Sequence, residues 1–154
     1  MIKSTTKAAV LTKELGGMLA KAILSSQIRS RALVVALQGE LGSGKTTFTQ
    51  GLAKGLGVQE RVLSPTFVIS RRFGIPKHPP LKNLFHIDCY RLKKSSELLL
   101  IDWKDMVKDP SNIVVLEWPE RVARFLPKDT LFIAFSHRGG DMRTITMRSS
   151  QHFK

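Results

Sequence analysis

One short stretch, residues 39–46, constrains what this chain can fold into more than any other part of the sequence. It fits the phosphate-binding pattern GxxxxGK[ST] in full and reads Gly39, Glu40, Leu41, Gly42, Ser43, Gly44, Lys45, Thr46. An apolar run rich in β-branched residues precedes it at residues 32–37, as in a parallel strand covered on both faces. Apolar residues at helical spacing follow it, so the pattern lies between a predicted strand and a predicted helix.

The residue types of this loop explain how it would hold phosphate groups. Gly39, Gly42 and Gly44 permit a tight turn that points successive backbone N–H groups inward, at the start of a helix whose dipole is positive there. Lys45 is expected to reach the β and γ phosphates, and Thr46 to place its hydroxyl on a magnesium ion. The alternative is a glycine-rich turn that matches the pattern by chance. The order of strand, loop, lysine and helix favours nucleotide binding.

Composition narrows the class of protein. The chain has 154 residues, enough for one domain with a sizeable core, and 25 Lys and Arg against 12 Asp and Glu give a formal charge of +13. This charge fits a polyanionic partner such as tRNA, an acidic protein, or a well-solvated surface.

The single cysteine, Cys89, excludes an internal disulfide and is expected to be a small buried residue rather than a nucleophile. No apolar run approaches the roughly 20 residues that span a bilayer, so a cytoplasmic protein without a membrane partner is expected.

The pattern along the chain predicts one α/β domain over residues 1–154, with a mostly parallel sheet and residues 149–154 as a frayed tail. The remaining predicted elements are helices at residues 4–25 and 95–107, strands at residues 84–90 and 113–116, and a closing antiparallel hairpin at residues 131–136 and 144–147.

Two carboxylates end predicted strands. Glu117 follows residues 113–116 at the carboxyl end of a parallel strand, where ligands bind in such sheets, which makes it a candidate metal-binding acid. Its alternative roles are capping the short helix that follows or pairing with Arg121. Asp88 ends another strand and alternates with His86 on one face, so both side chains could point into the site. A hydrogen-bonded structural pair explains that spacing equally well.

Two further features lie close to these elements. Ser64 and Thr66 flank Pro65 between the loop helix and the next strand, where hydroxyl groups of P-loop switch proteins can sense a γ-phosphate. A simple proline turn is the alternative. Trp118 is adjacent to Glu117 and either packs over a nucleotide or partner or fills the core.

Four motifs occur in order along the chain: GELGSGKTTF, SPTF, FHIDCYRL and LEWPER. Together they resemble the TsaE (YjeE-like) family, small bacterial P-loop ATPases of tRNA threonylcarbamoyladenosine biosynthesis. The resemblance implies a three-layer α/β P-loop NTPase fold that binds ATP and Mg²⁺ and hydrolyses ATP. It also implies work with the proteins TsaD and TsaB, which modify the tRNA adenosine next to the anticodon (t6A), with tRNA held through that complex.

The resemblance implies roles for particular residues. The ATP-binding set would comprise Thr12, near the base, and Gly39, Glu40, Leu41, Gly42, Ser43, Gly44, Lys45, Thr46 and Thr47. Thr46 and Glu117 would hold the metal, and Asp88, Glu117 and Lys45 would be catalytic. The switch or partner-facing residues would be Ser64, Thr66, His86 and Trp118. Glu40, at a variable position of the loop, is expected to face solvent. The closing turn at residues 138–143 has glycine where the family commonly has arginine, and its arginines receive no role.

Two other functions fit a P-loop of this size. A small-molecule kinase shares the loop, although no arginine-rich lid that would shield a transferred phosphate from water is evident in the sequence. A nucleotide-gated binding module would use ATP to fix a surface without useful turnover. Full function after Glu117→Ala or Asp88→Asn would favour such a module, whereas ATP consumption without an added acceptor would argue against a kinase.

Overall fold

The computed structural model describes residues 1–26, 29–65 and 69–149. Within these ranges, one sheet of seven strands lies between layers of helices. The elements are β1 (Ile2–Thr6), α1 (Ala9–Leu24), β2 (Leu33–Gln38), α2 (Lys45–Gly55), β3 (Ser70–Gly74), β4 (Asn83–Asp88), α3 (Trp103–Lys108), β5 (Asn112–Glu117), β6 (Leu131–His137) and β7 (Arg143–Ser149). Three short 3-10 helices cover Ser95–Ile101, Pro119–Arg121 and Ala123–Phe125.

The sheet has a parallel centre and antiparallel edges. Its strand order is β1-β7-β6-β2-β5-β4-β3, and the four neighbours β6, β2, β5 and β4 run parallel. The strands β7, β1 and β3 pair antiparallel with their neighbours. The predicted α/β class and the closing hairpin of β6 and β7 are both confirmed. The carboxyl ends of the four parallel strands meet at one edge of the sheet.

Both faces of the sheet are covered, which explains the continuous apolar runs of its central strands. The helices α1 and α2 cover one face, where Phe48 and Leu52 share a buried cluster with Val115. The 3-10 helix Ser95–Ile101, α3 and the segment after β5 cover the other face, where Trp103 packs in a cluster with Leu116. Successive residues of a strand therefore enter opposite cores, and the fold has three layers.

The prediction of one helix over residues 4–25 is wrong at its start. Residues Ile2–Thr6 form β1, which pairs with β7 so that Thr6 lies opposite Arg143. The helix α1 begins only at Ala9. Hydrogen bonding to β7 overrides the helical spacing of the segment, and the isoleucine and threonine residues of β1 favour an extended chain.

The predicted helix over residues 95–107 is interrupted. A 3-10 helix ends at Ile101, Asp102 adopts a left-handed conformation with a φ of 56°, and α3 starts at Trp103. In a continuous α-helix, Leu98 and Trp103 would point about 140° apart. The break allows both side chains to enter the same buried cluster.

No helix among the described residues is both long enough and apolar enough to cross a membrane.

Candidate functional site

A cleft of about 490 Å³ opens at the edge where the parallel strands end. Its walls come from the loop before α2, from the chain after β4 and β5, and from the start of β7. The lining residues are Leu41, Gly42, Ser43, Gly44, Lys45, Thr46, Thr47, Ser64, Asp88, Tyr90, Arg91, Glu117, Trp118 and Arg143. This is the crevice in which open α/β sheets bind ligands.

The loop turns into α2 through two glycines with positive φ, Gly42 at 75° and Gly44 at 103°. Gly44 is the residue that precedes the first turn of α2, and no side chain caps that end of the helix. The first backbone N–H groups of α2 thus have no partner within the helix and carry its positive dipole. This geometry suits an anion such as a phosphate group.

Lys45 is the first residue of α2, and its ammonium group folds back onto the loop. Nζ donates hydrogen bonds to the carbonyl oxygens of Gly39, at 2.7 Å, and Glu40, at 2.9 Å. The side chain is only 5% exposed. Burial lowers the pKa of Lys45, and the nearby carboxylates of Glu117, Asp88 and Glu120 oppose that shift. The site therefore holds a desolvated cation that an anionic ligand would stabilise further.

Strand alternation places Glu117 on the same face of the sheet as α2. The buried residues Ile113 and Val115 of β5 enter the core beneath α1 and α2, and Glu117 continues that series at the strand's end. Its Oε1 accepts hydrogen bonds from Thr46 Oγ1, at 3.2 Å, and from His86 Nε2, at 2.9 Å. The carboxylate is thereby fixed between β4 and α2.

Asp88 lies opposite Glu117 in the β4 and β5 register and is also buried. Its Oδ1 accepts a hydrogen bond from the backbone N–H of Tyr90 at 2.9 Å, and its Oδ2 accepts one from Ser64 Oγ at 3.4 Å. The Tyr90 contact closes a short turn after β4. Asp88 therefore presents a carboxylate of defined orientation at the wall of the cleft.

An aromatic pair, Trp118 and Tyr90, lines this wall of the cleft. The ring of Trp118 lies 4.6 Å from Lys45 Nζ and 5.0 Å from the Tyr90 ring, measured to the centroids. The guanidinium of Arg121 lies 5.7 Å from the Tyr90 ring centroid. Contacts between a cation and an aromatic face are attractive, more so where water is excluded. Trp118 also has a φ of 60°, an uncommon conformation for a bulky residue that turns the chain sharply after Glu117.

The cleft combines groups for binding anions with groups for binding a hard cation. Backbone N–H groups, Lys45 and Arg143 line the cleft as groups that attract negative charge, and the oxygens of Thr46 and Glu117 lie together. Among the described residues, no cluster of three or more His, Cys, Asp or Glu side chains could hold a metal by itself. A cation here would take further ligands from water and from a bound phosphate, as Mg²⁺ does in nucleotide sites.

A protein-family model matches most of the chain. The family model described as "Threonylcarbamoyl adenosine biosynthesis protein TsaE" matches residues 6–145. The chain belongs to the TsaE family.

Several TsaE proteins are similar over most of their length. The "tRNA threonylcarbamoyladenosine biosynthesis protein TsaE" of Streptomyces coelicolor is 39% identical over 135 residues, 84% of this chain and 81% of the relative. The protein of the same name from Treponema pallidum is 40% identical over 114 residues, 74% of this chain and 80% of the relative. The crystal structure of YdiB from Bacillus subtilis matches with a TM-score of 0.73 and 29% identity, covering 97% of this chain and 85% of that chain. The resemblance inferred from the TsaE motifs is confirmed.

The structure brings most of the predicted site residues together. Ser64, Asp88, Glu117 and Trp118 line the cleft with residues 41–47. Gly39 and Glu40 contribute carbonyl oxygens to Lys45 from outside the lining, and the Glu40 side chain is exposed.

Three of the predicted site residues are not among the residues that line the cleft. His86 lies behind Glu117, completely buried. Thr12 lies behind the loop, where its hydroxyl is 3.1 Å from Thr6 Oγ1 and its methyl group faces Gly44. Thr66 is outside the described residues.

Three lining residues were not predicted from the sequence: Tyr90, Arg91 and Arg143. Tyr90 and Arg91 belong to the same TsaE motif as Asp88, so their place in the motif was an available signal. Arg143 offered no local signal, because only the pairing of β7 with β6 carries its side chain to within 3.3 Å of the position a Cβ would take on Gly44.

Proposed function

We propose that this chain is an ATP-binding and ATP-hydrolysing subunit that supports threonylcarbamoylation of tRNA adenosine. The observation that carries the proposal is the phosphate loop at the start of α2, facing Asp88 and Glu117 across the cleft. Membership of the TsaE family adds the biological context, since the relatives are named for tRNA threonylcarbamoyladenosine biosynthesis.

The loop would bind the triphosphate by exchange of hydrogen bonds. In the structure, the Lys45 ammonium donates to two carbonyl oxygens of its own loop. Phosphate oxygens carry more negative charge than carbonyl oxygens, so Lys45 would transfer its hydrogen bonds to a bound phosphate. The N–H groups of Gly42, Ser43 and Gly44 would donate to the same anion, and those of Thr46 and Thr47 would extend the cradle into α2.

The residues present fit Mg²⁺. The Thr46 hydroxyl and the Glu117 carboxylate offer hard oxygen ligands, with Thr46 Oγ1 3.2 Å from Oε1 of the carboxylate, at the point where the β and γ phosphates would lie. Thr46 and Glu117 would hold the ion, and Mg²⁺ when bound would neutralise charge on the phosphates.

Asp88 would supply the carboxylate needed for hydrolysis. It is buried, lies beside Glu117 in the register and is held by Tyr90 N–H, so it can orient or deprotonate a water molecule near the γ-phosphate. The ring of Trp118 would shield Lys45 and the phosphates from solvent, which strengthens their attraction.

The partners would be TsaD and TsaB, with tRNA held through that complex, in a cytoplasmic setting. The formal charge of +13 is compatible with a tRNA or an acidic protein surface near the bound nucleotide.

The first test measures Mg²⁺-dependent ATP hydrolysis by the purified protein, alone and with TsaD and TsaB from the same source. Stimulation by the partners is expected, and Lys45→Ala should lack it. Lys54→Ala is the matched control, because it removes an exposed lysine from the other end of α2. Absence of hydrolysis in every mixture would contradict the proposal and favour a kinase or a binding module.

Two variants separate binding from chemistry. Lys45→Ala should weaken ATP binding about 10- to 100-fold, because charged hydrogen bonds to the phosphates contribute roughly 1.5–3 kcal/mol. Asp88→Asn keeps the shape of the side chain, so ATP affinity should stay within about threefold while hydrolysis falls about 10²- to 10⁴-fold. Calorimetric titration and a phosphate-release assay measure the two quantities. Equal loss of binding in both variants would contradict the separate roles.

A further inference from the structure

His86 is a completely buried polar residue that the proposed chemistry does not use. It lies on β4 opposite Val115 of β5, and its side chain points to the same side of the sheet as α2. Its Nε2 is 2.9 Å from Oε1 of Glu117. A polar ring in this position lies next to the carboxylate proposed to bind the metal, and it has no route to solvent.

The contact fixes which ring nitrogen carries the proton. An ionised carboxylate only accepts hydrogen bonds, so Nε2–H of His86 donates to Glu117. Among the described residues, Nδ1 of His86 is buried without a hydrogen-bond partner. The Nε2–H tautomer satisfies this contact and leaves the lone pair of Nδ1 without a partner.

Two donors from different elements converge on one oxygen of Glu117. His86 reaches Oε1 from β4 and Thr46 reaches it from α2. Among the described residues, both hydrogen bonds of this carboxylate end on Oε1, so Oε2 stays available to another partner such as a cation. Carboxylates that bind metals are commonly oriented by hydrogen bonds from neighbouring groups, as Glu117 is by His86 here.

We propose that His86 is a positioning residue for the cation: its Nε2–H holds Oε1 of Glu117 so that the carboxylate presents a ligand oxygen beside Thr46. This inference rests on the proposed function, since it needs a cation that binds with ATP. A purely structural polar pair would contribute to stability but would leave the metal dependence of ATP binding unchanged.

The experiment compares wild type, His86→Gln and His86→Leu. Glutamine can place an N–H donor near the position of Nε2, whereas leucine fills the space without a donor. Affinity for ATP is measured by calorimetry in EDTA and across a Mg²⁺ titration. His86→Leu should need about 10- to 100-fold more Mg²⁺ for half-maximal enhancement of ATP binding, with affinity in EDTA unchanged within about twofold. His86→Gln should recover the Mg²⁺ dependence to within about threefold of wild type.

Each other result overturns the inference. Wild-type Mg²⁺ dependence in His86→Leu would show that no positioning occurs, and equal loss with and without Mg²⁺ would show a structural role. A glutamine variant as impaired as the leucine variant would show that the hydrogen bond is not the cause. Wild-type protein that binds ATP without any effect of Mg²⁺ would overturn the proposed metal site as well, which separates the two failures.

A second measurement does not depend on the folding of a variant. Nuclear magnetic resonance of ¹⁵N-labelled histidine in the wild-type protein should show His86 as the Nε2–H tautomer. The Nε2 resonance should move when Mg²⁺ and ATP are added together and stay in place with ATP in EDTA. A protonated Nδ1 with a bare Nε2, or identical shifts in both conditions, would contradict the positioning role.

Discussion

The helices α1 and α2 pack so closely that a single methyl group decides whether they fit. Gly16 of α1 is buried against the backbone of α2, and a Cβ there would overlap the Phe48 carbonyl oxygen and lie 2.7 Å from Leu52 N. The adjacent Gly17 has more room, since a Cβ there would lie 3.8 Å from the Gly51 oxygen, an ordinary contact. Gly16→Ala and Gly17→Ala therefore form a matched pair of substitutions in one helix.

The expected difference follows from two opposing effects. Alanine stabilises a helix interior by about 1 kcal/mol relative to glycine, and both variants gain this. Gly16→Ala must also force the two helices apart, and overpacking of this kind costs about 1–3 kcal/mol. Gly17→Ala should therefore raise the melting temperature by about 2–4 °C, and Gly16→Ala should melt about 2–12 °C below Gly17→Ala, at roughly 2–4 °C per kcal/mol.

The same displacement should reach the site, because α2 begins at Lys45. Gly16→Ala should weaken ATP binding, whereas Gly17→Ala should bind ATP like the wild type. Thermal unfolding followed by circular dichroism and calorimetric titration measure the two effects. If both variants were equally stable, or if Gly16→Ala bound ATP normally despite lower stability, the inferred coupling between helix spacing and loop geometry would be refuted.

Two further predictions concern single side chains. Burial, reinforced by Asp88 and Glu120, raises the pKa of Cys89 to about 12, above its ordinary value of 9.0. As the pH rises, the thiol of Cys89 loses its proton in the unfolded chain before it does so in the folded protein. The stability that the buried, protonated thiol contributes is therefore complete below about pH 9 and is lost as the pH rises towards 12. Between pH 8 and 10.5, the free energy of unfolding should fall more steeply in wild type than in Cys89→Ala. The fluorescence of Trp118 should report phosphate binding, and a Trp103→Phe background leaves Trp118 as the single tryptophan. Its fluorescence should change when Mg²⁺ and ATP draw Lys45 away from the loop carbonyl oxygens. Adding Lys45→Ala to this background should abolish the change.

Much of the fold could be predicted because local chemistry and tertiary structure agree there. The loop before α2 needs its glycines, and the β5 run of apolar residues is buried on both faces as its composition indicates. The start of the chain could not be predicted in the same way, because β1 exists through hydrogen bonds to β7, far away in sequence. The break at Asp102 likewise depends on where Leu98 and Trp103 find room in the core.

In the candidate site, too, some positions follow from local sequence and others depend on contacts between distant segments. Asp88 and Glu117 could be placed from the strands that precede them, since alternation fixes the face on which each side chain lies. The convergence of His86 and Thr46 on one oxygen of Glu117 required the register of β4 with β5 and the position of α2. Arg143 lies in the cleft because of strand pairing alone, so no pattern in the neighbouring sequence could predict that position.

The parallel centre of the sheet also determines when the site can form during folding. Thr46 and Glu117 are separated by 71 positions in the chain, and they meet only after β2 and β5 have paired. Such non-local parallel pairing is slow, because the closure entropy of the intervening chain must be overcome first. The pair of Thr46 and Glu117 is therefore completed late, after the contacts of α1 with α2 can form. A nucleotide whose binding needs this completed pair would slow unfolding while leaving the early steps of folding unaffected.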